Sequence, residues 1–342
     1  MSGFGAHEPG DCSQNRGSMT ISLRRIVLLA LILILSFVSG VSAQPAKVKA
    51  AYSVQSSWSL ATWVAYEAGF FRKYGLDVDL VLIRATPIVT AAMVAGEAPI
   101  GQLAGSGPVS AALQGADSVY FATLVNLIPQ SFVVTPDINK PEDLKGKRFG
   151  VSRFGAISDL VVRKYLRRFG IEPERDAQII QIGGIPELLA AMKAGAISGA
   201  PISPPVLGAA KKAGFKELVD FETLNFKYPA TGLATTRSFI QRQRSTVLNF
   251  LRGEIEGVHA IGKQKEFSIN VLKKYIRITD PEVLDEGYRY AVKFIQARPF
   301  PTIDEIKAVL DEVKKPSANP EAFLDMSLLQ ELEKEKFFDK FK

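Results

Sequence analysis

The chain has 342 residues, 47% of them hydrophobic, which is enough to bury a large core without cross-links. Its single cysteine, Cys12, excludes an intrachain disulfide, and the formal charge of +7 is not gathered into a Lys/Arg block that would indicate a nucleic-acid surface. The mild positive charge favours anions among the possible ligands.

The start of the chain has the layout of a secretory signal. Arg24 and Arg25 precede an apolar run over 26–38, and small residues follow as far as Ala43. A membrane span needs about 20 apolar residues, more than this run provides, and the order of basic, apolar and small residues is that of a cleaved signal peptide. We therefore predict an N-terminal extension and signal peptide over 1–43, with an uncleaved anchor as the alternative.

Strands and helices alternate through the first half of the remaining chain. Period-2 patterns predict the strands, helical spacing predicts the helices, and Gly75 and Gly96 are suited to end helices. In order, the predicted elements are a strand over 47–54, a helix over 58–73, a strand over 76–83, a helix with Thr86 as its N-cap that ends at Gly96, a strand over 100–103 and a helix that opens at 105–108. Strands joined by helices imply crossover connections and a largely parallel sheet.

A similar order returns between 147 and 218. The predicted elements are a strand over 149–152, a helix over 159–169 with Ser158 as its N-cap, a strand over 178–182, a helix over 185–194, a strand over 200–203 and a helix that begins at 203–205. A strand over 133–135 and a segment over 228–234 are predicted to cross between the two sets, and two crossings make a hinge. Beyond Ser238 the pattern is almost wholly helical, and Thr302 with Glu305 fits a capping box.

The two sets share short sequences. AAMVAG over 91–96 matches AAMKAG over 190–195, an Ala-Pro-Ile run follows each, and a Pro-Val pair follows each run. Two copies are too few for a solenoid and indicate two similar α/β lobes facing each other, with a small ligand in the cleft between them. We predict lobe 1 over 44–134 plus 230–342, with the C-terminal helices on it, and lobe 2 over 135–229.

Candidate ligand-binding residues lie where helices begin after strands. Ligands collect at the carboxyl ends of strands in open α/β sheets, and helix N-termini favour anionic oxygens. The candidates are Ser57, Trp58, Thr86, Gly105, Ser106, Arg153, Phe154, Gly155, Ala156, Ser158 and Ser203. Trp58 and Phe154 would stack on the ligand, and Arg153, like Arg84, would clamp an acid. The alternatives are that the hydroxyl residues are ordinary helix caps and the arginines are solvated.

Signatures of catalysis and of metal or cofactor binding are absent. After the predicted cleavage site the chain has one histidine, His259, inside a helical stretch, and no cysteine. It also has no His-Glu-x-x-His sequence and no phosphate loop. We therefore predict a protein that is not an enzyme and needs no cofactor or metal.

Four segments carry a family resemblance. They are AYEAGFFRKYGL over 65–76, AMVAGE over 92–97, PEDLKGKR over 141–148 and VSRFG over 151–155. With them the chain resembles the periplasmic substrate-binding proteins of ABC importers, in the branch associated with nitrate, sulfonate, taurine and thiamine-precursor uptake. The resemblance implies a type II-like, two-lobed periplasmic binding protein with a hinge, and a pocket that includes Ser57, Ser106, Gly155, Ala156 and Ser158.

The resemblance also implies a function and a location. It implies an exported, periplasmic, monomeric protein that captures a small anionic or heterocyclic solute between its lobes and delivers it to the permease and ATPase of an ABC importer in the inner membrane. The alternatives on the same fold are a pyrimidine-synthase-like enzyme and a sensory periplasmic receptor. The cysteine-rich cluster and supporting histidines of the pyrimidine synthases have no counterpart here.

Overall fold

The computed structural model describes residues 1, 3, 5, 44–128, 130–224 and 227–341. The basic pair and apolar run of the predicted signal peptide lie outside these residues. None of the described helices has both the length and the apolarity that a bilayer crossing requires.

Strands and helices follow one another in nearly the predicted order. The strands are β1 (Ala46–Tyr52), β2 (Leu76–Leu82), β3 (Ile100–Leu103), β4 (Ser118–Leu127), β5 (Ser131–Val134), β6 (Arg148–Val151), β7 (Gln178–Gln181), β8 (Gly199–Ile202), β9 (Lys216–Asp220) and β10 (Lys227–Thr236). The helices are α1 (Leu60–Glu67), α2 (Phe70–Lys73), α3 (Thr86–Val94), α4 (Gly107–Leu113), α5 (Ile157–Arg168), α6 (Ile185–Lys193), α7 (Val206–Lys212), α8 (Arg237–Arg242), α9 (Arg244–Lys263), α10 (Lys265–Ile276), α11 (Pro281–Phe294), α12 (Ile303–Glu312) and α13 (Ser327–Lys334). Short 3₁₀ turns lie at Ser57–Ser59, Pro141–Leu144, Phe221–Leu224, Pro320–Phe323 and Phe337–Phe341.

The strands form two five-stranded sheets of the same topology. The orders are β2-β1-β3-β10-β4 and β7-β6-β8-β5-β9. In each sheet three strands run parallel, and the strand that enters from the other sheet, β10 or β5, runs antiparallel to both of its neighbours. Four of the five strands in each sheet therefore point the same way, which confirms the predicted α/β fold with mostly parallel sheets.

The internal repeat is visible in the elements themselves. α3, β3 and α4 correspond to α6, β8 and α7, and every start and end is offset by 99 residues. Gly96 and Gly195 follow the paired helices with φ of +78° and +70°, a conformation that glycine adopts without steric cost. The Ala-Pro-Ile runs are not equivalent, because the first ends at the start of β3 whereas the second ends β8.

The first predicted helix is divided. The segment over 58–73 forms the 3₁₀ turn Ser57–Ser59 and then α1 and α2, separated at Gly69, whose φ is +74°. A left-handed glycine ends one helix and allows the chain to turn before the next. The helical pattern was correct, but the single long helix was wrong.

The C-terminal helices pack mainly on the first sheet. α9 lies against α1, α12 contacts β10, and α13 contacts β4 and buries Leu328, Leu329 and Leu332. The side chain of Thr302 accepts a hydrogen bond from the Glu305 amide and so caps α12, as predicted. α11 also reaches the second set of elements through contacts with α7.

The chain passes between the sheets twice. It leaves the first sheet after β4 and enters the second at β5, and it returns between β9 and β10. By pairing, Ser131–Val134 belongs to the second sheet and Lys227–Thr236 to the first. Residues 131–134 were assigned to lobe 1 from the sequence and residues 227–229 to lobe 2, so each strand begins a few residues before the predicted lobe limit. The lobe limits stay a prediction.

Candidate ligand-binding site between the two sheets

A cleft of about 540 Å³, part of it open to solvent, lies where strands of both sheets end. Its lining follows β1, β2 and β3 of the first sheet and β6 and β7 of the second, and the helices α3, α5 and α6 begin there. The carboxyl ends of strands are the expected ligand position in open α/β folds. Three helix N-termini, each with free N–H groups and partial positive charge, therefore converge on this space.

Two buried polar atoms at the cleft lack partners. Ser53 directly follows β1 and is 7% exposed, and Gln130, in the first crossing, is 3% exposed. Neither Ser53 Oγ nor Gln130 Oε1 has a hydrogen-bond partner among the described residues. Since nearly all buried polar groups in proteins are hydrogen-bonded, a polar ligand or water in the cleft would satisfy both atoms.

Thr86 faces the cleft but does not cap α3. The N-cap is Ala85, at φ +87°, and Thr86 Oγ1 accepts a hydrogen bond from the Ala104 amide at 3.2 Å. This bond ties the end of β3 to the start of α3. The N-cap prediction for Thr86 was wrong, although Thr86 lines the cleft.

Ser158 also lines the cleft without being an N-cap. The N-cap of α5 is Ala156, and Ser158 lies in the first turn of the helix. Ser158 Oγ accepts from the Ser152 amide at 3.0 Å and shares a 2.8 Å hydrogen bond with Ser152 Oγ. Two hydroxyls thus lie side by side at the end of β6, and Ala156 lines the cleft beside them. Sequence reasoning missed Ser152.

One arginine of the cleft joins the two halves of the molecule. Arg84 Nη2 lies 3.2 Å from Glu187 Oε1 on α6 and donates to Gln55 Oε1 at 3.1 Å. The Gln55 side-chain amide in turn donates to the Tyr275 carbonyl at 2.9 Å, which holds this group in place. The second carboxylate oxygen of Glu187 is buried without a partner in the described parts of the chain.

Three predicted contacts lie in the interior instead. Ser57 is fully buried, and its hydroxyl and its amide both donate to the Pro204 carbonyl, at 3.1 and 3.2 Å. Trp58 is 1% exposed and belongs to the hydrophobic core. Ser203 is fully buried, and within the described residues its hydroxyl has no partner. The structure therefore gives Trp58 no exposed face on which a ligand could stack.

Gly105, Ser106 and Gly155 lie beside the cleft. Ser106 and Gly155 line an adjoining open depression of about 1240 Å³ between α3 and α4. Gly105 has a φ of +67°, and a Cβ there would lie 2.4 Å from Tyr228 Oη, so close packing and backbone conformation both require glycine. Ser106 precedes α4 without a side-chain capping bond.

Arg153 and Phe154 are not among the residues that line the cleft. Phe154 is 50% exposed, and its ring faces the Arg163 guanidinium at 5.7 Å. Phe154 therefore contacts α5, the helix that carries Arg163. The predicted stacking and clamping roles find no support in these positions.

The described residues hold no cluster of His, Cys, Asp and Glu with the spacing of a metal site. His259 lies on α9, stacks on Phe341 at 4.3 Å between ring centroids, and is absent from the cleft lining. Burial lowers the pKa of the imidazole. Glu187, a carboxylate beside the cleft, pairs with Arg84.

Comparisons with known proteins agree with this architecture. The chain is 31% identical over 206 residues to the taurine-binding periplasmic protein of Escherichia coli K12, an alignment covering 60% of this chain and 61% of that protein. Among solved structures it is similar to the nitrate-binding protein NrtA from Synechocystis PCC 6803 (TM-score 0.71, 13% identity, 86% and 91% coverage) and to the alkanesulfonate-binding protein SsuA from Xanthomonas axonopodis pv. citri (TM-score 0.68, 18%, 85% and 98%).

The same fold also carries an enzyme. The desulfurization enzyme DSZB is similar at a TM-score of 0.58 and 13% identity, with 84% and 99% coverage. At this identity the likeness concerns the fold alone. The family model described as "NMT1/THI5 like" matches residues 59–266, more than half of the chain. The chain belongs to the NMT1/THI5-like family.

Proposed function

We propose that this chain is an exported, periplasmic solute-binding protein of an ABC import system, which captures a small organic anion in the cleft and delivers it to a permease in the inner membrane. The observation that carries the proposal is the convergence of unpaired polar atoms and three helix N-termini on one cleft between two sheets. The binding-protein relatives support it, and one relative is a periplasmic protein that binds taurine.

The cleft chemistry favours an organic anion with a short apolar part. Hydroxyls, an amide and the helix N-termini offer hydrogen bonds to anionic oxygens, each terminus contributing about 0.3–1 kcal/mol. Val54, Ile157, Ile185 and Leu188 supply apolar walls, and burying one methylene against them contributes about 0.8 kcal/mol. A sulfonate or carboxylate with two or three carbons matches both kinds of surface.

Closure is the mechanism that fits these elements. Ser53 and Thr86 belong to the first sheet's side of the cleft and Ser152 and Ser158 to the second, so a single ligand would bridge both sides. Such a ligand stabilises the closed form only by its higher affinity for that form. The closed, loaded protein is then the form that docks on the permease.

We propose that the protein is not an enzyme, although one neighbour of this fold is. Covalent or acid–base catalysis needs an activated nucleophile with a base within hydrogen-bond reach. The cleft hydroxyls of Ser152 and Ser158 hydrogen-bond with each other, and no histidine lines the cleft. Turnover of any bound compound by the purified protein would contradict this part of the proposal.

The test is calorimetric titration of the purified protein with sulfonates, including taurine and ethanesulfonate, and with nitrate, short carboxylates, pyrimidines and aromatic acids. A hydrogen bond to a charged group contributes about 1.5–3 kcal/mol, so Ser53→Ala should weaken binding about tenfold or more. Ser317→Ala, at an exposed position remote in sequence from the cleft lining, is the control. Binding that Ser53→Ala and Ser158→Ala both leave unchanged would refute the site.

A further inference from the structure

The open depression between α3 and α4 continues the cleft at one end. Thr86 lines the cleft and Pro87 the depression, and in the second lobe Ala156 lines the cleft and Gly155 the depression. The two spaces therefore share a border, where the lobes come close to each other: a Cβ added to Gly155 would lie 4.0 Å from Pro87 Cγ. A ligand in the cleft that is longer than the cleft would extend across this border.

The walls of the depression are uncharged and largely apolar. None of the described residues that line it carries a charge, and over 85–116, the stretch that contains α3 and α4, only Glu97 is charged. Ala91, Val94 and Ala95 on α3 are exposed, Val94 by 41%, and Ala111 on α4 is partly buried. These side chains present apolar surface to the depression, and exposed apolar surface of this kind is typical of ligand-binding grooves.

The depression also contains a buried hydroxyl. Thr90 lines it and is 6% exposed, and Thr90 Oγ1 has no hydrogen-bond partner among the described residues. A Cβ added to Gly107 would lie 2.4 Å from this oxygen, so the hydroxyl lies against the start of α4. The positions 99 residues further on, in α6 and α7, hold Leu189 and Val206, which are buried and apolar. The repeated fold therefore does not require a hydroxyl here, whereas a polar group on a ligand would satisfy it.

Helix geometry sets the length of ligand that would reach the depression. Thr90 and Val94 lie four and eight residues after Thr86, which is about 6 Å and about 12 Å along α3. An extended chain covers about 1.2 Å per bond, a third of the span of one extended residue. About five bonds therefore lead from the level of Thr86 to that of Thr90, and about ten lead to Val94.

We propose that the depression binds the tail of a ligand whose anionic head lies in the cleft. This inference rests on the function proposed for the cleft and names the ligand class more closely. The ligand is an organic anion with an uncharged tail that is longer than two or three carbons and carries a hydroxyl or a similar polar group. The tail lies against Ala91, Val94 and Ala111, and its polar group bonds to Thr90.

The experiment is calorimetric titration with unbranched sulfonates and carboxylates of two, four, six and eight carbons. Affinity should rise about tenfold or more from the shortest to the longest chain, because methylenes beyond the third leave water in the depression. Ala91→Trp fills the depression and should remove this gain while leaving the two-carbon anions unchanged. Ala190→Trp places the same side chain at the exposed position 99 residues further on, outside the lining of both spaces, and should change neither.

A second variant tests the polar contact. Thr90→Val keeps the shape of the side chain and removes the hydroxyl. It should weaken the binding of 6-hydroxyhexanesulfonate about fivefold and leave that of hexanesulfonate unchanged, because only the first compound has a group that bonds to Thr90.

Three results would overturn the inference and leave the proposed function of the cleft intact. They are equal affinity for all chain lengths, an equal loss of the gain in Ala91→Trp and Ala190→Trp, and an equal effect of Thr90→Val on the two six-carbon sulfonates. If neither head group binds at any chain length, the proposed function is wrong and this inference is wrong with it.

Discussion

A buried carboxyl group in the first lobe should make the stability of the protein depend on pH. Glu254, on α9, is 0% exposed, and its Oε1 accepts a hydrogen bond from Thr62 Oγ1 at 2.7 Å. Thr62 Oγ1 in turn accepts from the Gln102 side-chain amide at 2.8 Å. Glu254 Oε2 has no partner among the described residues. Burial raises the pKa of Glu254 to about 8, and the bond from Thr62 offsets only part of this.

The sign of the effect follows from proton binding. Between pH 4.5, the ordinary pKa of the group, and pH 8, Glu254 is protonated in the folded chain and ionised in the unfolded one. The folded state therefore binds more protons, and the free energy of unfolding falls as the pH rises through this window. At about 1.4 kcal/mol per pKa unit, the full loss is at most about 5 kcal/mol.

Glu254→Gln removes this titration and keeps the shape of the side chain. A glutamine oxygen still accepts the bond from Thr62, so the variant should differ little from the parent near pH 5. It should be the more stable protein at pH 9, where the difference in unfolding free energy should have grown by about 4 kcal/mol. Other buried acids titrate equally in both proteins and cancel in the difference.

Urea unfolding at pH 5, 7 and 9 measures this difference, with Glu266→Gln as the control because Glu266 is an exposed acid. The control should follow the parent at every pH. Parallel pH profiles for Glu254→Gln and the parent would refute the reasoning, because they would mean that Glu254 ionises at its ordinary pKa or is reached by water.

Two further predictions concern stability. Gly105→Ala should lower the unfolding free energy by about 2 kcal/mol or more, since it combines a left-handed φ with a Cβ placed 2.4 Å from Tyr228 Oη; an unchanged thermal midpoint would contradict the packing. Leu332→Ala should cost about 2–5 kcal/mol in urea unfolding, because Leu332 is fully buried where α13 docks on the first lobe; a loss below about 1 kcal/mol would mean that α13 is not firmly docked.

The fold was predictable because its signals are local and repeated. Two similar units were predicted from helical spacing and from the matching sequences that end at Gly96 and Gly195, at the ends of α3 and α6. The antiparallel direction of β5 and β10 was not predictable in this way, because strand direction within a sheet depends on pairing between distant segments.

The candidate site was predictable in its position more than in its residues. Ligands gather where strands end, and this rule indicates Ser53 and Ser152 equally, because they directly follow β1 and β6. Both residues were missed. Attention to helix caps selected Ser57 and Ser203 instead, and these hydroxyls are fully buried away from the cleft lining. Gln130 carries no local signal, because it reaches the cleft from a crossing segment.

Glu187 offers a test of what the cleft selects. One of its oxygens pairs with Arg84, and the other is buried without a partner among the described residues. This second oxygen lies close to Gly184, a residue of the cleft wall: a Cβ added to Gly184 would be 2.7 Å from it. An ammonium group on the ligand would satisfy that oxygen, whereas an unsubstituted sulfonate would leave it unpaired. Glu187→Gln should therefore weaken the binding of taurine about tenfold.

The same substitution should leave the affinity for ethanesulfonate unchanged or raise it slightly, because the Arg84 guanidinium loses its competing carboxylate. Arg84 and Glu187 are both partly exposed, so their ion pair is worth at most about 1 kcal/mol, and the gain is limited to about fivefold. Glu172→Gln is the matched control, since that carboxylate also pairs with an arginine and is similarly exposed, at 47% against 42%. If Glu187→Gln weakens the binding of taurine and of ethanesulfonate equally, Glu187 acts by holding the lobes together and does not distinguish an amino-substituted anion from a simple one.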